Sequence, residues 1–489
     1  MKHHLIYVVL GLFLLGCDDF LDQQPGTEIS IDEQLSTKTG VEQALAGIYT
    51  GLEDLISGRF ILYADLQGGN LTFSPGDDLL VTVPSSSTLN IVNSYDFFDN
   101  EIASDYQGYY EGVYGIINQA NTILERVDKY DFFSTNEREQ LIAELLTFRA
   151  FAHYQVAIHY AQNYHFTPDA THNGVVYNLR TVAPGVDFPG RLNVRDTYEQ
   201  LKQDLDNALQ RYQDQNILTS IPSYAHFNRV NTLAIYARIA LQMNDWERAR
   251  AHANEVIVTS GISLTSGQDY ISEWESDNQP ISEVLLEFLP PRSIEEDDSE
   301  GEISSTVAPF FRFTDENNYG EIVASGDLLD LYDPTDIRSD MFLEALLPTS
   351  VNQIVTNLPY YFTKKFQGDA GAICIRLSEM YLVRAEANAR LGSEPEALSD
   401  LNILRERAGL ASIFQTSELL EEIFLERRRE LAFEGHLLFD LIRHEKDVTR
   451  DQGCISSQCN LSYPSDFFIL PIPFSSTGLN ENIAQNDGY

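Results

Sequence analysis

The chain has 489 residues, of which 43% are hydrophobic, enough for a large folded core. Its 74 acidic and 32 basic residues leave a formal charge of −42. So acidic a surface argues against nucleic acid, which needs basic patches, and against lying flat on anionic lipid.

Residues 5–16 form an apolar run of about a dozen residues, short of the roughly 20 that a membrane-spanning helix needs. Lys2, His3 and His4 precede it, so the layout is that of an export signal. Leu14-Leu15-Gly16-Cys17 resembles a bacterial lipobox, in which the cysteine is acylated and becomes the first residue. The reading set against it is an ordinary signal peptide with an incidental cysteine. Residues 1–16 are therefore expected to be a lipoprotein signal peptide, with Cys17 as the lipidation site. Several acyl chains make a stable anchor, because each buried CH₂ contributes about 0.8 kcal/mol. No second long apolar run follows, and residues 17–489 read as a single domain.

Residues 65–99, rich in Gly, Ser, Pro and Thr, read as a first irregular insert. Residues 111–129 and 140–163 read as an antiparallel helix pair, and residues 196–212 as a later helix. The clearest pattern is a repeat. "YARIALQMNDWERARAHANEVIVTSG" (236–261) overlays "RAEANARLGSEPEALSDLNILRERAG" (384–409) without a gap. Ala237 meets Ala385, Ala249 meets Ala397, Val256 meets Leu404, and Gly261 meets Gly409. The apolar positions of each second helix fall on one face at helical spacing. Small alanines allow close helix approach, and the glycine stops the helix. This resembles the tetratricopeptide helix pair of about 34 residues, interrupted here by insertions. Between the copies, residues 278–340 form a second insert, opening on the strand-like "EVLLEFL" (283–289) and continuing into an acidic stretch. The expected fold is mainly α: tetratricopeptide-like helix pairs form a scaffold, with long irregular inserts and minor β structure on the opposite side.

Cys374 is expected to open an apolar helix and be buried. Cys454 and Cys459 in "GCISSQC" are expected to form a local disulfide in an exported protein. Zinc is the weaker reading, since no second Cys/His pair has suitable spacing. In "FEGHLLFD", Glu434, His436 and Asp440 are placed on one helical stretch, with His436 and Asp440 at i and i+4. Arg427, Arg428, Arg429 and Arg443 crowd it, and guanidinium groups fit carboxylate pairing better than cation binding. No H-E-x-x-H, P-loop, Rossmann or G-x-S-x-G motif is present. No catalytic residue, metal or cofactor is expected, and the "EEDD" run (295–298) reads as solvated.

Five stretches in order resemble the SusD/RagB family of outer-membrane nutrient-binding lipoproteins: "CDDFLDQQPGTEIS", "LLTFRAFAHYQVAIHYAQNY", "IRLSEMYLVRAEANARLG", "IFLERRRELAFEGHLLFDLIRHE" and "ILPIPFSSTGLNENIAQNDGY". Two positions depart from the family pattern: Leu437, where an arginine is frequent, and Asn70, where an aspartate is common. The resemblance implies a non-enzymatic, lipid-anchored protein on the outer face of the outer membrane. It would capture an oligo- or polysaccharide and deliver it to a SusC-like TonB-dependent transporter. The alternative within the family is a peptide- or protein-binding subunit of a RagB-like uptake complex. A sugar ring offers an apolar C–H face to aromatic planes and hydroxyls to amides and carboxylates. Trp246 and Trp274 read as structural, so tyrosine and phenylalanine must serve. The candidate ligand-binding residues are Asn70, Phe73 and Tyr95 in the first insert and Phe310, Phe311 and Tyr319 in the second. In "VAPFFRF", one of the adjacent rings at 310 and 311 is expected to anchor inward and the other to face out.

Overall fold

The computed structural model describes residues 29–56, 61–76, 78–82, 91–213, 215–219, 221–276, 280–288, 307–366 and 371–489. The apolar run at 5–16, Cys17 and the acidic run at 295–298 lie outside the described residues. Among the described residues, no helix is long and apolar enough to cross a membrane.

The helical frame begins with α1 (Lys38–Leu55), α2 (Ile61–Gly68), α3 (Gln107–Leu124), α4 (Thr135–Tyr160) and α5 (Val194–Arg211). α3 packs on α4, and α4 on α5. A capping box starts α4: the Ser134 hydroxyl accepts from the Glu137 amide, and the Glu137 carboxylate accepts from the Ser134 amide. α4 is buried almost all round. Its last carbonyls are closed from far along the chain, where Leu470 donates its amide to His159 O at 2.7 Å and Asn486 donates Nδ2 to Tyr160 O at 2.9 Å.

The two repeat copies become α6 (Arg229–Gln242) with α7 (Trp246–Thr259), and α8 (Leu377–Arg390) with α9 (Glu394–Arg407). The overlay holds in three dimensions. Asn244 (φ 53°) and Gly392 (φ 79°) turn the two hairpins, while Gly261 (φ 71°) and Gly409 (φ 80°) follow the second helices, all in the left-handed region. Ala249, Ala253 and Val256 are buried, as are their counterparts Ala397, Leu401 and Leu404. α7 packs directly on α8, so the copies are neighbours in space and everything between them loops out and returns. α10 (Leu419–Glu430) and α11 (Leu437–Arg443) complete the frame.

Strands occupy the excursions as two-stranded antiparallel sheets. β1 (Leu71–Phe73) pairs with β5 (Ile322–Ala324), β2 (Val284–Phe288) with β8 (Ala372–Arg376), and β3 (Phe313–Asp315) with β4 (Asn318–Tyr319). β6 (Phe342–Val351) pairs with β7 (Ile354–Thr363) from Phe342↔Thr363 to Val351↔Ile354, and β9 (Val448–Thr449) pairs with β10 (Asn460–Leu461). Asn352 (φ 51°) and Gln353 (φ 67°) close the long hairpin, the backbone of a two-residue primed turn.

Several expectations need correction. Residues 65–68 are helical and buried rather than irregular, because α2 is sealed beneath α11. A Cβ added at Gly68 would lie 2.7 Å from Leu437, so the glycine makes room for that leucine. Cys374 lies in β8, before the helix, and is half-buried. Glu434 and His436 are not on one helix with Asp440. The chain breaks between α10 and α11 with Phe433 (φ 71°) and Gly435 (φ 77°), and His436 precedes α11.

Candidate functional site

The break between α10 and α11 rests on buried charge. Asp65 of α2 accepts amides from Gly435 (3.3 Å), His436 (3.3 Å) and Leu437 (3.0 Å), closing the start of α11. Burial pushes Asp65 up to about 6, against the lowering effect of those amides. Arg376, 1% exposed in its side chain, lies 2.7 Å from both Glu430 and Glu434 and also pairs with Glu283. Arg407 reaches Glu283 and Glu430, and Arg338 reaches Asp336, Glu426 and Glu430. Lys365 bonds Glu434 and Arg429 bonds Glu426. Five cations (338, 365, 376, 407, 429) thus face five carboxylates (283, 336, 426, 430, 434), and the cluster closes neutral. Arg427 and Arg443 pair with Asp440, and Arg443 also with Glu386. Arg428 departs from the expected carboxylate pairing and donates Nε to the Asn70 amide oxygen at 2.7 Å. These charges are neutralised largely by one another, which is the chemistry of a structural lock. Among the described residues, no group of three or more metal-ligating side chains converges.

Four of the six candidate ligand residues are inside the fold. Asn70 is 1% exposed and held by Arg428. Phe73 meets Tyr95 edge-on at 4.9 Å, and both are buried. The Arg450 guanidinium lies 4.2 Å from the Tyr95 ring centre, capping it. Phe311 is fully buried, 5.2 Å from Phe433 and 5.9 Å from Phe366. None of these four can present itself to a ligand, for one physical reason: each is covered by residues remote in sequence. Phe310 and Phe311 lie in a short helix, Ala308–Phe311, rather than in an extended loop, and Phe310 is half-buried against the core rather than turned outward. Trp274 is buried beneath Lys365 and Arg376, and Trp246 is half-buried under Arg390. Cys454 and Cys459 are joined with Cα atoms 5.9 Å apart, and the Gly453 carbonyl before them accepts from Thr72 of β1.

Tyr319 sits in a different setting. Together with Phe313 and Tyr360 it forms a half-buried aromatic group over buried Val323, Ala345, Leu347 and Phe362. Phe313 and Tyr319 stack at 6.4 Å with planes 20° apart, and Phe362 lies 5.0 Å and 5.8 Å from them. Tyr319 donates its hydroxyl to Pro75 O at 3.0 Å, tying the hairpin to the first insert. The Tyr360 hydroxyl lies 3.0 Å from Thr349 Oγ1. Exposed Arg312, Asp315, Asn317, Asn318 and Asn357 stand on the same two hairpins. Fixed ring planes among exposed amides and charged groups can take a ligand that is apolar on one face and hydroxylated at its edge. Phe313, Tyr360 and the hairpin carrying Tyr360 were not expected from the sequence. The available signal was the pair of ten-residue runs flanking Asn352-Gln353.

A family model described as "SusD family" matches residues 351–489. A second, described as "Starch-binding associating with outer membrane", matches residues 19–241. The chain is 24% identical to SusD-like protein P25 of Formosa agariphila over 567 aligned residues, covering 100% of this chain and 99% of that protein. It is 36% identical to the starch-binding protein SusD of Bacteroides thetaiotaomicron over 120 residues, 23% of this chain and 21% of that one. In structure it resembles a putative sugar-binding protein of Bacteroides vulgatus, with a TM-score of 0.77 and 24% identity over 92% of this chain and 98% of that chain.

Proposed function

Because this chain belongs to the SusD/RagB family, whose members are binding proteins without catalysis, we propose that it is a cell-surface glycan-binding lipoprotein of the outer membrane. In this reading Cys17 carries the lipid anchor, and bound glycan passes to a partner TonB-dependent transporter. The observation that carries the reading is the group of half-buried rings at Phe313, Tyr319 and Tyr360, bordered by exposed amides and carboxylates. The relatives named for starch and sugar binding support the ligand class.

The double variant Tyr319→Ala/Tyr360→Ala is expected to weaken binding of the native glycan about tenfold, roughly 1.4 kcal/mol. Phe311→Ala, by contrast, should cost about 3–5 kcal/mol of stability, because that ring is wholly internal. Calorimetric titration beside chemical denaturation separates the two effects. Undiminished affinity in the double variant places the site elsewhere. Binding should also persist as salt rises. A steep loss favours a basic peptide held by the acidic surface.

The anchor has its own test. Cys17→Ser is expected to abolish incorporation of labelled palmitate and release the protein from the cell surface. Equal labelling of both forms removes the anchor from the reading.

A further inference from the structure

We propose that a second cleft, on the helical side of the molecule, binds a neutral polyhydroxylated ligand through a sugar-like ring. The cleft has a volume of about 640 Å³ and shares no lining residue with the Phe313–Tyr319–Tyr360 group. It lies where the segment after α5 and the start of α6 face the start of β2. Its floor is apolar: Val230, Ile281, Val284 and Leu285. Tyr224, half-buried against the core, adds a ring at its side. Around this floor stand Gln215, Asn216, Ser223 and Asn228.

Charge narrows the class of ligand. Among the described residues lining the cleft, Arg229 alone carries a full charge, and it pairs with Glu255 at 2.6 Å. A chain with 74 acidic residues has therefore left this lining without a carboxylate among those residues. Among those residues a cationic ligand finds no counter-ion, and an anionic one finds only a guanidinium already engaged. What the cleft offers is neutral hydrogen bonding. The Gln215 amide and the Ser223 hydroxyl make no side-chain hydrogen bond among the described residues. His226 gives its Nδ1–H to Pro222 O at 3.0 Å, so its Nε2, 3.3 Å from the Asn216 amide, accepts from the amide NH₂ and leaves the amide oxygen open. Amides and hydroxyls both donate and accept, as sugar hydroxyls do, and an apolar floor suits a C–H face. A second cleft of about 470 Å³ adjoins this one through Asn216, so an oligomer longer than one ring has somewhere to continue.

Maltotriose serves as a neutral probe and trigalacturonate as its charged counterpart, with the full chain studied by calorimetry and by crystal soaking. The cleft variant is Gln215→Ala/Ser223→Ala, which removes side chains that make no hydrogen bond among the described residues and is expected to leave the fold intact. The ring variant is Tyr319→Ala/Tyr360→Ala. In the ring variant, maltotriose binding is expected to remain at millimolar concentration, with a sugar ring over the Val230–Leu285 floor. Adding the cleft substitutions should weaken it at least about tenfold. Trigalacturonate should bind more weakly than maltotriose. The inference is overturned if the ring variant binds no maltotriose, if the cleft substitutions leave its affinity unchanged, or if trigalacturonate binds better. Loss of all binding in the cleft variant, with the ring variant equal to wild type, upholds this site and removes the ring-group site instead.

Discussion

Arg376→Leu is expected to destabilise the protein by about 3–5 kcal/mol, the cost of breaking a buried ion pair from one side. The guanidinium is fully enclosed and touches three carboxylates, Glu283, Glu430 and Glu434, while its Nη2 also donates to Glu430 O at 2.6 Å. Leucine fills much of the space but leaves those carboxylates with one positive charge fewer in an interior that water does not reach. Arg376→Lys should recover little, because a single ammonium cannot span several carboxylates as a planar fork does. Urea denaturation measures the difference. A loss below about 1 kcal/mol would show that the cluster tolerates an unbalanced charge, against the general behaviour of such sites.

Acid should destabilise the protein in two stages, a gradual decline and then a steep one. Burial pushes Asp65 up to about 6, and Asp99 and Glu144 each up to about 7. Their stabilisation grows as pH falls through those values and is complete below the ordinary carboxylate range near 4. Burial drives His153 and His159 down to about 3 and His436 down to about 4. Their stabilisation is complete above about 6.5 and is lost as pH falls, because the unfolded chain takes up protons that the folded one refuses. His172, His226, His252 and His444 are lowered by burial as well, and Asp400 is raised, so seven histidines outnumber four carboxyls and stability should already fall between about pH 6.5 and 5. Below about pH 4.5 a second group of sites steepens the fall. Burial raises Glu379, Glu386, Glu426, Glu430, Glu434 and Asp440, but their guanidinium partners outweigh it and hold all six below the usual range. Six protons taken up by the unfolded chain alone correspond to a slope of up to about 8 kcal/mol per pH unit. Denaturation followed by circular dichroism at closely spaced pH values checks both parts. A flat stretch between about pH 6.5 and 5 would contradict the first stage.

The two kinds of structure in this chain differ in how far they can be read from sequence. The repeat is legible because its information is local. Helical spacing at 246, 249, 253 and 256, and glycines at 261 and 409, need no distant partner to be recognised. The β6–β7 hairpin is obscured because apolar residues occupy both of its faces. Leu347 is buried on one while Leu346 and Val355 are exposed on the other, so the alternation expected of a half-buried strand is blurred. Ligand contact is harder still. Nothing near Phe73 indicates that Tyr95 covers it, and the Tyr95 carbonyl accepts from Arg450 across 355 positions of sequence. Candidates chosen for ring chemistry inside an insert therefore fell on its packing, while Phe313 and Tyr360 are left half-buried over a cluster that two hairpins build together.

The closing of α4 by the 469–489 segment sets a clock. Asn486 follows Tyr160 by 326 residues, and at ordinary rates of synthesis that separation is roughly 16 to 65 seconds. Throughout this interval the last turn of this long buried helix has those carbonyls open to water, and its burial would leave them unpaired. The chain cannot commit to its native centre until its late residues arrive.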